Sequence, residues 1–422
     1  MARKMKDSGI EWIGMIPQDW ETKKLKYCSR FIQEKYSVDY GDLPYIGMEN
    51  IESWNGRYVA TDSVFDKNQS DLFLPDDILW GKLRPYLAKV YHAKEKGCCS
   101  GEFCVIRFNE RYDVRYFWNL LISSEFVFMV DRSTYGTKMP RANADFIKNL
   151  FVPVPPFTEQ RRIASFLDAK CALIDAAIDK TRASIEEYKK LKQAIIAEAV
   201  TKGVRGKKRR MKDSGIEWIG EIPEEWGLIK GKYLFQQRNE KGNKIELQLL
   251  SPTQKYGVIP QQLYEELSGM TTVKLDLDAD YSSLKSIYIG DFCISLRSFQ
   301  GGFEYSRYNG VVSPAYQVFF KTCDLCNAYY AYLFKEKSFI ERMTSYTRSF
   351  RDGKNIAFSD FGDSLIPVPP ISEQSCIAKY VDDRTRKIRE IVSKKENLIQ
   401  NLINYKKSII FEYVTGKKEV PA

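Results

Sequence analysis

The chain contains the same sixteen-residue box twice, and this repeat constrains its fold more than any other feature. Residues 5–20 read MKDSGIEWIGMIPQDW and residues 211–226 read MKDSGIEWIGEIPEEW. A second pair follows, PVPPFTEQRRIA from residue 153 and PVPPISEQSCIA from residue 367. The copies lie 206 and 214 residues apart, far beyond the repeat length of a solenoid or propeller. The sequence therefore predicts two copies of one domain, with matched ends and diverged middles.

Composition narrows the class of protein. Hydrophobic residues make up 44% of the 422 residues and aromatic residues 14%, which excludes a disordered chain and allows each copy a proper core. No apolar run reaches the roughly 18 residues of a membrane-spanning helix, and the start, MARKMKDSG, lacks the apolar segment of a signal peptide. The nine cysteines are not matched between the halves, so we expect no disulfide framework and a reducing, cytoplasmic location.

The charge balance is moderately basic. The formal net charge is +10, from 65 Lys and Arg against 55 Asp and Glu. Such an excess fits basic faces that meet an anionic polymer, with acidic residues kept for other partners. On charge alone, a basic protein without such a ligand remains the alternative.

Each copy shows the same order of elements, which predicts an α+β fold with globular domains over residues 1–155 and 203–369. Short runs of alternating apolar residues predict strands of a mixed sheet, and an aromatic stretch with helical spacing follows them. The predicted strands are Ile78–Leu83, Phe103–Phe108, Ile287–Leu296 and Ala315–Phe320, and the predicted helices are Val114–Val130 and Ala328–Met343. PVPP closes each copy, because paired prolines cannot continue a helix or a central strand.

A long helix is predicted after each PVPP, over residues 156–202 and 370–416. Thr158 and Ser372 are the expected N-caps, and each is followed by Glu-Gln, which suits the positive end of a helix. Apolar residues then alternate at spacings of four and three, the pattern of a coiled-coil seam. The two matched stripes most simply bury each other.

We expect the two helices to form an antiparallel coiled coil that joins two similar domains. Lys192 and Lys406 occupy equivalent seam positions, where polar residues set the register at some cost in stability. A parallel pair stays possible, since the second domain could supply the return connection. The junction TKGVRGKKRRMKDSG at residues 201–215 resembles the C-terminus joined to the N-terminus, which predicts neighbouring termini and a circular, pseudo-twofold arrangement.

Residues able to carry catalysis are scarce. His92 is the one histidine and fits an ordinary strand-end residue. Cys323 and Cys326 form a lone CxxC without the second pair that zinc needs, and neither a P-loop nor a nucleotide-binding glycine pattern is present. We therefore expect a binding protein with no catalytic residues, metal or cofactor of its own.

Three features favour nucleic acid as the ligand. The segments KLRPY at residues 82–86 and LRSFQGG at residues 296–302 sit at equivalent strand ends, and the loops before PVPP are basic with interleaved aromatic residues. Arginine can bond guanine bidentately in the major groove, and glutamine can bond adenine. A basic run at residues 207–210 adds positive charge, although a flexible hinge explains this run equally well. The candidate DNA-binding residues are Lys82, Arg84, Tyr86, Lys138, Arg141, Arg297, Ser298, Gln300, Arg348, Arg351 and Lys354. A solvated surface charge explains any one of them, but their recurrence at matched places favours the group.

The boxes themselves have two interpretations. Each either packs the start of a domain onto the helices, or also presents a surface to a partner that touches both copies alike. Their near-identity beside diverged interiors favours the second interpretation. The residues predicted to form this scaffold and docking element are Trp12, Trp20, Trp218, Trp226, Glu159, Gln160, Glu373 and Gln374.

Taken together, these residues give a chain that resembles the specificity subunit of type I restriction-modification enzymes. The paired DSGIEWIGxIPxxW and PVPPxxEQxxIA boxes, the long helices and the LRPY and LRSFQGG segments carry the resemblance over essentially the whole chain. The resemblance implies two target-recognition domains, each reading one half of a split DNA sequence. It also implies that the helix pair fixes the spacing and docks partner subunits.

The implied partners are double-stranded DNA, two methyltransferase subunits and two motor-nuclease subunits. S-adenosylmethionine, ATP and Mg²⁺ would be bound by those subunits. The alternative is a coiled-coil adaptor whose two domains bind proteins, which predicts no sequence preference in a gel shift at moderate salt. A self-sufficient nuclease or methyltransferase is a more remote alternative.

Overall fold

The computed structural model describes residues 3–37, 40–61, 70–136, 138–204, 209–242, 248–269, 283–294, 302–346 and 356–421. Contacts divide the chain into two compact units: unit 1 comprises residues 1–182 and 395–422, and unit 2 comprises residues 183–394. Both long helices are cut by this division. The boundaries set from the sequence divide the chain differently, because they give each helix a segment of its own.

Unit 1 mixes short strands with short helices before the first long helix begins. Its strands are β1 Met5–Asp7, β2 Met15–Pro17, β3 Glu21–Lys24, β4 Ser29–Ile32, β5 Tyr45–Ile46, β6 Asp71–Phe73, β7 Ile78–Gly81, β8 Val90–His92, β9 Gly97–Cys99, β10 Phe103–Phe108 and β11 Phe151–Val154. Its helices are α1 Leu25–Cys28, α2 Val114–Leu121, α3 Ser124–Asp131, α4 Ala144–Asn149 and the start of α5 Phe157–Lys202.

Unit 2 follows this order in its described parts but adds a strand at Gly257–Pro260 and a helix at Gln261–Ser268, which the described part of unit 1 does not have. Its strands are β12 Met211–Asp213, β13 Glu221–Pro223, β14 Gly227–Lys230, β15 Phe235–Arg238, β16 Leu250–Thr253, β17 Gly257–Pro260, β18 Lys285–Ile287, β19 Phe292–Ile294, β20 Phe303–Tyr305, β21 Gly310–Val312, β22 Gln317–Lys321 and β23 Leu365–Val368. Its helices are α6 Gly231–Leu234, α7 Gln261–Ser268, α8 Asn327–Leu333, α9 Lys337–Ser345, α10 Phe358–Asp363 and the start of α11 Ile371–Val414.

The central sheets of the two units have the same topology. Unit 1 has a four-stranded antiparallel sheet in the order β4-β10-β7-β8, and unit 2 has the order β15-β22-β19-β20. The strand at Phe103–Phe108 has the predicted bounds. The single strand predicted at Ile287–Leu296 is wrong, because β18 and β19 belong to different sheets and a turn at Gly290 (φ 97°) separates them.

The two aromatic helices predicted from the sequence are each broken in two. The first breaks between α2 and α3, where the Ser123 hydroxyl donates to the Leu120 carbonyl at 2.6 Å and ends the turn. The second breaks between α8 and α9, where the Glu336 carboxylate accepts from the Phe339 backbone N–H at 2.8 Å and caps a new helix. Polar side chains that compete for backbone groups explain both breaks, and spacing of apolar residues does not reveal them.

The caps of the long helices lie two residues before the predicted ones. Thr158 and Ser372 lie inside the first turn, and the preceding prolines occupy the cap positions. The Pro156 carbonyl accepts from the Gln160 backbone N–H at 3.0 Å, and the Pro370 carbonyl accepts equivalently in α11. Proline suits this place because its missing N–H would be unpaired at a helix start in any case.

In unit 1 the start of α5 packs against the end of α11. The rings of Phe166 and Tyr413 lie 4.5 Å apart between centroids, and Lys406 Nζ bonds both carboxylate oxygens of Asp175 at 2.8 Å. The contacts run in opposite directions along the two helices, so the pairing is antiparallel. The Lys406 side chain is only 9% exposed, so this seam lysine depends on the Asp175 carboxylate.

In unit 2 the end of α5 packs against the start of α11, with Val200 in one apolar cluster with Ile377. The antiparallel prediction is therefore confirmed within each unit. The residue that corresponds to Asp175 is Arg389, 214 positions later. Burial and the neighbouring Arg389 charge lower the pKa of Lys192, so the two equivalent seam lysines have opposite electrostatic surroundings.

The segment after α11 meets the first box inside unit 1, as the junction sequence predicted. Gly416 follows α11 with φ 71°, where a side chain would collide with Pro17. Gly203 follows α5 with φ 80°, beside Trp226. Left-handed glycines are common just after a helix end. Here each glycine also leaves room for a side chain of the neighbouring box, Pro17 or Trp226.

Two general expectations can be compared with the structure. All nine cysteines are free thiols, as their uneven distribution suggested. Across the described residues, no helix combines the length and the apolarity that a membrane span requires.

We predict that Asp175→Asn destabilises unit 1. The change leaves the Lys406 ammonium buried without its anion, and breaking a buried ion pair in this way costs about 3–5 kcal/mol. Asp179→Asn is the matched control, because the Asp179 side chain is 49% exposed and its ion pair contributes about 1 kcal/mol or less. Differential scanning calorimetry should show a much larger loss for Asp175→Asn, and equal losses would contradict the dependence of Lys406 on Asp175.

Candidate nucleic-acid interface

The first predicted binding segment forms a tight turn at the end of β7. Arg84 adopts a left-handed conformation (φ 50°, ψ 66°) and leads into a 3-10 turn at Pro85–Leu87. Such a conformation costs a non-glycine residue roughly 1–3 kcal/mol and clusters at functional sites. Pro85 is buried and anchors the turn, while the Arg84 side chain is exposed.

The second predicted segment, the loop at residues 133–142, lies directly against this turn. The Arg84 backbone N–H donates to the Pro140 carbonyl at 2.8 Å, and the Ala142 N–H donates to the Lys82 carbonyl at 2.9 Å. A bridge between Leu83 and Arg141 lies between these bonds. Two segments whose contacting residues are more than fifty positions apart in the sequence therefore form one surface, which we call the strand-end surface.

The strand-end surface is basic and aromatic. Arg84, Lys138 and Arg141 are exposed, and Lys82 is half-buried. Exposed apolar side chains lie among them: Tyr135 is 64% exposed, Met139 60% and Tyr86 46%. The structure thus brings together Lys82, Arg84, Tyr86, Lys138 and Arg141, all five candidates of the first half.

One carboxylate lies among these cations. Arg141 Nη2 donates to Glu102 Oε1 at 2.6 Å, with side chains 51% and 28% exposed. An exposed ion pair of this kind contributes about 1 kcal/mol or less. The Arg141 guanidinium can therefore exchange Glu102 for a phosphate or a base edge at little cost.

The candidates of the second half lie outside the described residues. These are Arg297, Ser298, Gln300, Arg348, Arg351 and Lys354. The described strands on either side of the first group, β19 and β20, pair antiparallel as β7 and β8 do.

The boxes form a partly buried polar contact with the helix start, which we call the clasp. In unit 1, Trp20 is fully buried, and its Nε1 donates to Glu159 Oε2 at 2.9 Å. Arg3 Nη2 donates to the same oxygen at 2.8 Å, and this hydrogen bond raises the pKa of Arg3. Glu159 lies in the first turn of α5, where a carboxylate is favoured by the helix dipole.

Unit 2 contains the same clasp. Trp226 Nε1 donates to Glu373 Oε2 at 3.2 Å, and Arg209 forms an ion pair with the same carboxylate. Arg209 belongs to the basic run 207–210, so this part of the run has a structural role and is not a free charge.

The glutamine beside each clasp carboxylate joins the helix start to the sheet domain. Gln160 accepts from the Asp113 backbone N–H at 2.9 Å and donates to the Pro155 carbonyl at 2.8 Å. Gln374 makes equivalent bonds in unit 2, to the Cys326 N–H and the Pro369 carbonyl, both at 2.8 Å. Both side chains are buried, so the EQ pair of each box is satisfied within the fold.

The remaining box tryptophans pack on helices of their own domains. Trp12 makes an edge contact with Phe126, with centroids 6.1 Å apart, and Trp218 does so with Phe339 at 5.4 Å. The scaffold contacts account for all eight box residues, and docking of a partner on them stays a prediction.

Two tyrosines that the sequence reasoning missed hold the far ends of the helices. The Tyr116 hydroxyl on α2 donates to the Val414 carbonyl at 2.8 Å, at the end of α11. The Tyr329 hydroxyl on α8 donates to the Val200 carbonyl at 2.8 Å, near the end of α5. These bonds satisfy carbonyls that a helix end leaves unpaired. Each tyrosine lies three residues after the residue whose backbone N–H bonds the box glutamine, a relation that becomes visible only in the structure.

His92 ends β8, as expected, and its Nε2 lies 2.8 Å from Asp76 Oδ1. Burial lowers the pKa of His92. Its contacts are those of an ordinary strand-end histidine.

The fold and the paired clasps define a duplicated protein, in which each unit combines a sheet domain with the start of one long helix and the end of the other. A profile of the family described as "Type I restriction modification DNA specificity domain" matches residues 17–187 and 220–401. The chain belongs to this family.

Known proteins that are similar to the chain include specificity subunits of type I restriction enzymes. The EcoKI type I restriction enzyme specificity subunit of Escherichia coli strain K12 is 22% identical over 92% of this chain and 89% of its own length. The EcoDI specificity subunit of Escherichia coli is 24% identical, over only 44% of this chain and 42% of its own. A chain from a solved type I R-M system matches with a TM-score of 0.73 at 17% identity, covering 96% of this chain and 99% of that one, which shows a common fold.

We predict that Glu159→Gln loosens the clasp of unit 1 alone. The amide keeps the shape of the side chain but loses the negative charge to which Arg3 and Trp20 donate, which lowers the free energy of unfolding by roughly 1–3 kcal/mol. Hydrogen exchange should accelerate in residues 5–20 and stay unchanged in residues 211–226, and Glu373→Gln should give the reverse. Glu187→Gln, whose side chain is 71% exposed, is the control. A response of both boxes to either variant would contradict independent clasps.

Proposed function

We propose that this chain is the DNA-specificity subunit of a type I restriction-modification complex and reads a bipartite target. Each unit contacts one half of the target through its sheet domain. The helix pair sets the number of unread bases between the halves. The chain performs no catalysis and determines where its partners act.

The observation that carries this proposal is the strand-end surface of unit 1. Backbone hydrogen bonds join the two segments of unit 1 whose residue types predicted DNA binding, KLRPY and the loop before PVPP. Three exposed cations and three exposed apolar side chains occupy the resulting surface. This combination suits phosphate contacts for position and base-edge contacts for sequence.

The chemistry of reading follows from the side chains present. Arg84 is held by a strained backbone on a buried proline, so its guanidinium projects from a fixed point, and Arg bonds guanine bidentately. Lys138 and Arg141 suit phosphates, whose contacts make affinity fall steeply with salt. The adaptor alternative would have this surface bind a protein, and it predicts no sequence preference for DNA.

The partners follow from the same assignment. We propose two methyltransferase subunits and two motor-nuclease subunits on double-stranded DNA. Those subunits would bind S-adenosylmethionine, ATP and Mg²⁺, and this chain would bind none of them.

Methylome sequencing tests the proposed function. Cells that carry this chain and its methyltransferase should show one adenine-methylated motif made of two specified halves around a fixed gap. An active methyltransferase that leaves no such motif, or leaves an unsplit one, would contradict the proposal.

We predict that Arg84→Ala weakens or relaxes reading of one half-site only. Loss of one base contact costs about 1–3 kcal/mol, or roughly tenfold to a hundredfold in affinity. Selection of bound duplexes from a random pool should show degenerate bases in one half and an unchanged second half. Arg111→Ala, at an exposed turn after β10, is the control. Equal relaxation of both halves would contradict one reader per half.

A further inference from the structure

The sheet domain of unit 1 contacts the long helices at a second place, away from the clasp. Arg57 Nη1 donates to Asp179 Oδ2 on α5 at 2.8 Å. The Lys407 ammonium on α11 lies 3.5 Å from the centre of the Trp54 ring, which is within the range of a cation–π contact. We call the contact of loop 52–57 with both helices the strut.

The strut and the clasp hold the domain at two separated points. Asp179 follows the clasp residue Glu159 by 20 positions, which is about 30 Å along an α-helix. The bond from Tyr116 to Val414 lies at the clasp end, because α11 runs antiparallel to α5. A domain fastened only at that end is free to tilt against the helices, and a second attachment so far along α5 restricts the tilt.

Loop 52–57 also contacts the turn that presents Arg84. The Trp54 backbone N–H donates to the Ala88 carbonyl at 3.2 Å, and Ala88 ends the 3-10 turn Pro85–Leu87 that Arg84 begins. Trp54 is left-handed, with φ 65°, and surrounding contacts must hold such a conformation in place. The helices, the loop and the turn with Arg84 therefore form one continuous series of contacts.

The helix residues of the strut differ between the two halves of the chain. In unit 1, Arg57 Nη2 lies 3.4 Å from Asp175 Oδ2, and Arg182 Nη1 lies 3.9 Å from Glu52 Oε1. At the positions of α11 that correspond to 175 and 182, 214 residues later, the charges have the opposite sign: Arg389 and Glu396. The clasp is common to both units, whereas the strut is matched to the domain of unit 1.

We propose that Arg57 and Trp54 are positioning residues that set the tilt of the first sheet domain on the helices and thereby fix the gap between the half-sites. This inference rests on the proposed function. Successive base pairs are about 3.4 Å apart, so a tilt that moves the Arg84 turn by that distance admits a neighbouring gap. Exposed ion pairs contribute little to the free energy of unfolding, so loss of the strut changes the gap more than the stability.

Charge reversal by Arg57→Glu tests the proposal, because it places a carboxylate beside Asp175 and Asp179. The complex of the chain with its methyltransferase selects bound duplexes from a random pool in which gaps of every length occur. We expect the preference for the wild-type gap over a gap one base pair longer or shorter to fall roughly tenfold, the value of one base contact, while each half keeps its bases. Asp179→Asn should lower the preference less, and Arg57→Glu combined with Asp179→Arg should restore it.

Arg111→Glu is the matched control, because it reverses an exposed charge on a turn of the same domain, and it should keep the single gap. An unchanged gap preference in both Arg57→Glu and Asp179→Asn would overturn the inference while leaving the proposed function standing. Equal weakening of binding at every gap length would also overturn it, since a merely stabilising contact gives that result. Degenerate bases in one half with an unchanged gap would overturn it as well and assign Arg57 to base reading. A wild-type complex that selects no split sequence would instead refute the proposed function.

Discussion

The structure depends on a partly buried hydrogen bond from a tryptophan indole to a glutamate at the start of a long helix. Trp20 with Glu159, and Trp226 with Glu373, fasten each box to the helix that follows its domain. Tyr116 and Tyr329 fasten the same domains to the end of the other helix. Each unit therefore contains one helix start and one helix end, and the antiparallel pairing follows. These contacts explain why the ends of the repeat are invariant in type while its middle diverged.

Much of this arrangement could be predicted from the sequence, because duplication makes the pattern visible. The two boxes, the helix stripe and the matched junctions predicted two similar domains, antiparallel helices and neighbouring termini. The strand-end surface was also predicted in part: the residue types at 82–86 and 138–141 indicated nucleic acid, although their backbone contacts across the sheet edge could not be foreseen. The left-handed Arg84 needs the buried Pro85 and the Pro140 carbonyl to hold it.

Other features cannot be found by comparing the halves position by position. Asp77 and Asp291 are buried at equivalent strand starts, and each needs an arginine. Arg107 supplies it from β10 at 2.7 Å in unit 1, whereas Arg238 supplies it from β15 at 2.8 Å in unit 2. The arginine therefore comes from different strands in the two units: β10 lies next to β7, whereas β15 is separated from β19 by β22. Likewise, Lys192 and Lys406 match in sequence, but within the described residues Lys406 pairs with the carboxylate of Asp175 whereas Lys192 lies near Arg389. In both cases the partner of the charged side chain depends on which residues lie close in space, and matching positions in the two halves do not reveal it.

The central claim is that a common scaffold holds two independent readers. The most direct test is to replace residues 236–364, the interior of the second copy, with the interior of the first, residues 30–150, and to select bound duplexes from a random pool. With both clasps intact, the account predicts a split target whose two halves carry the same sequence, that of the first reader. Retention of the original second half, or a target without two separate halves, would contradict it.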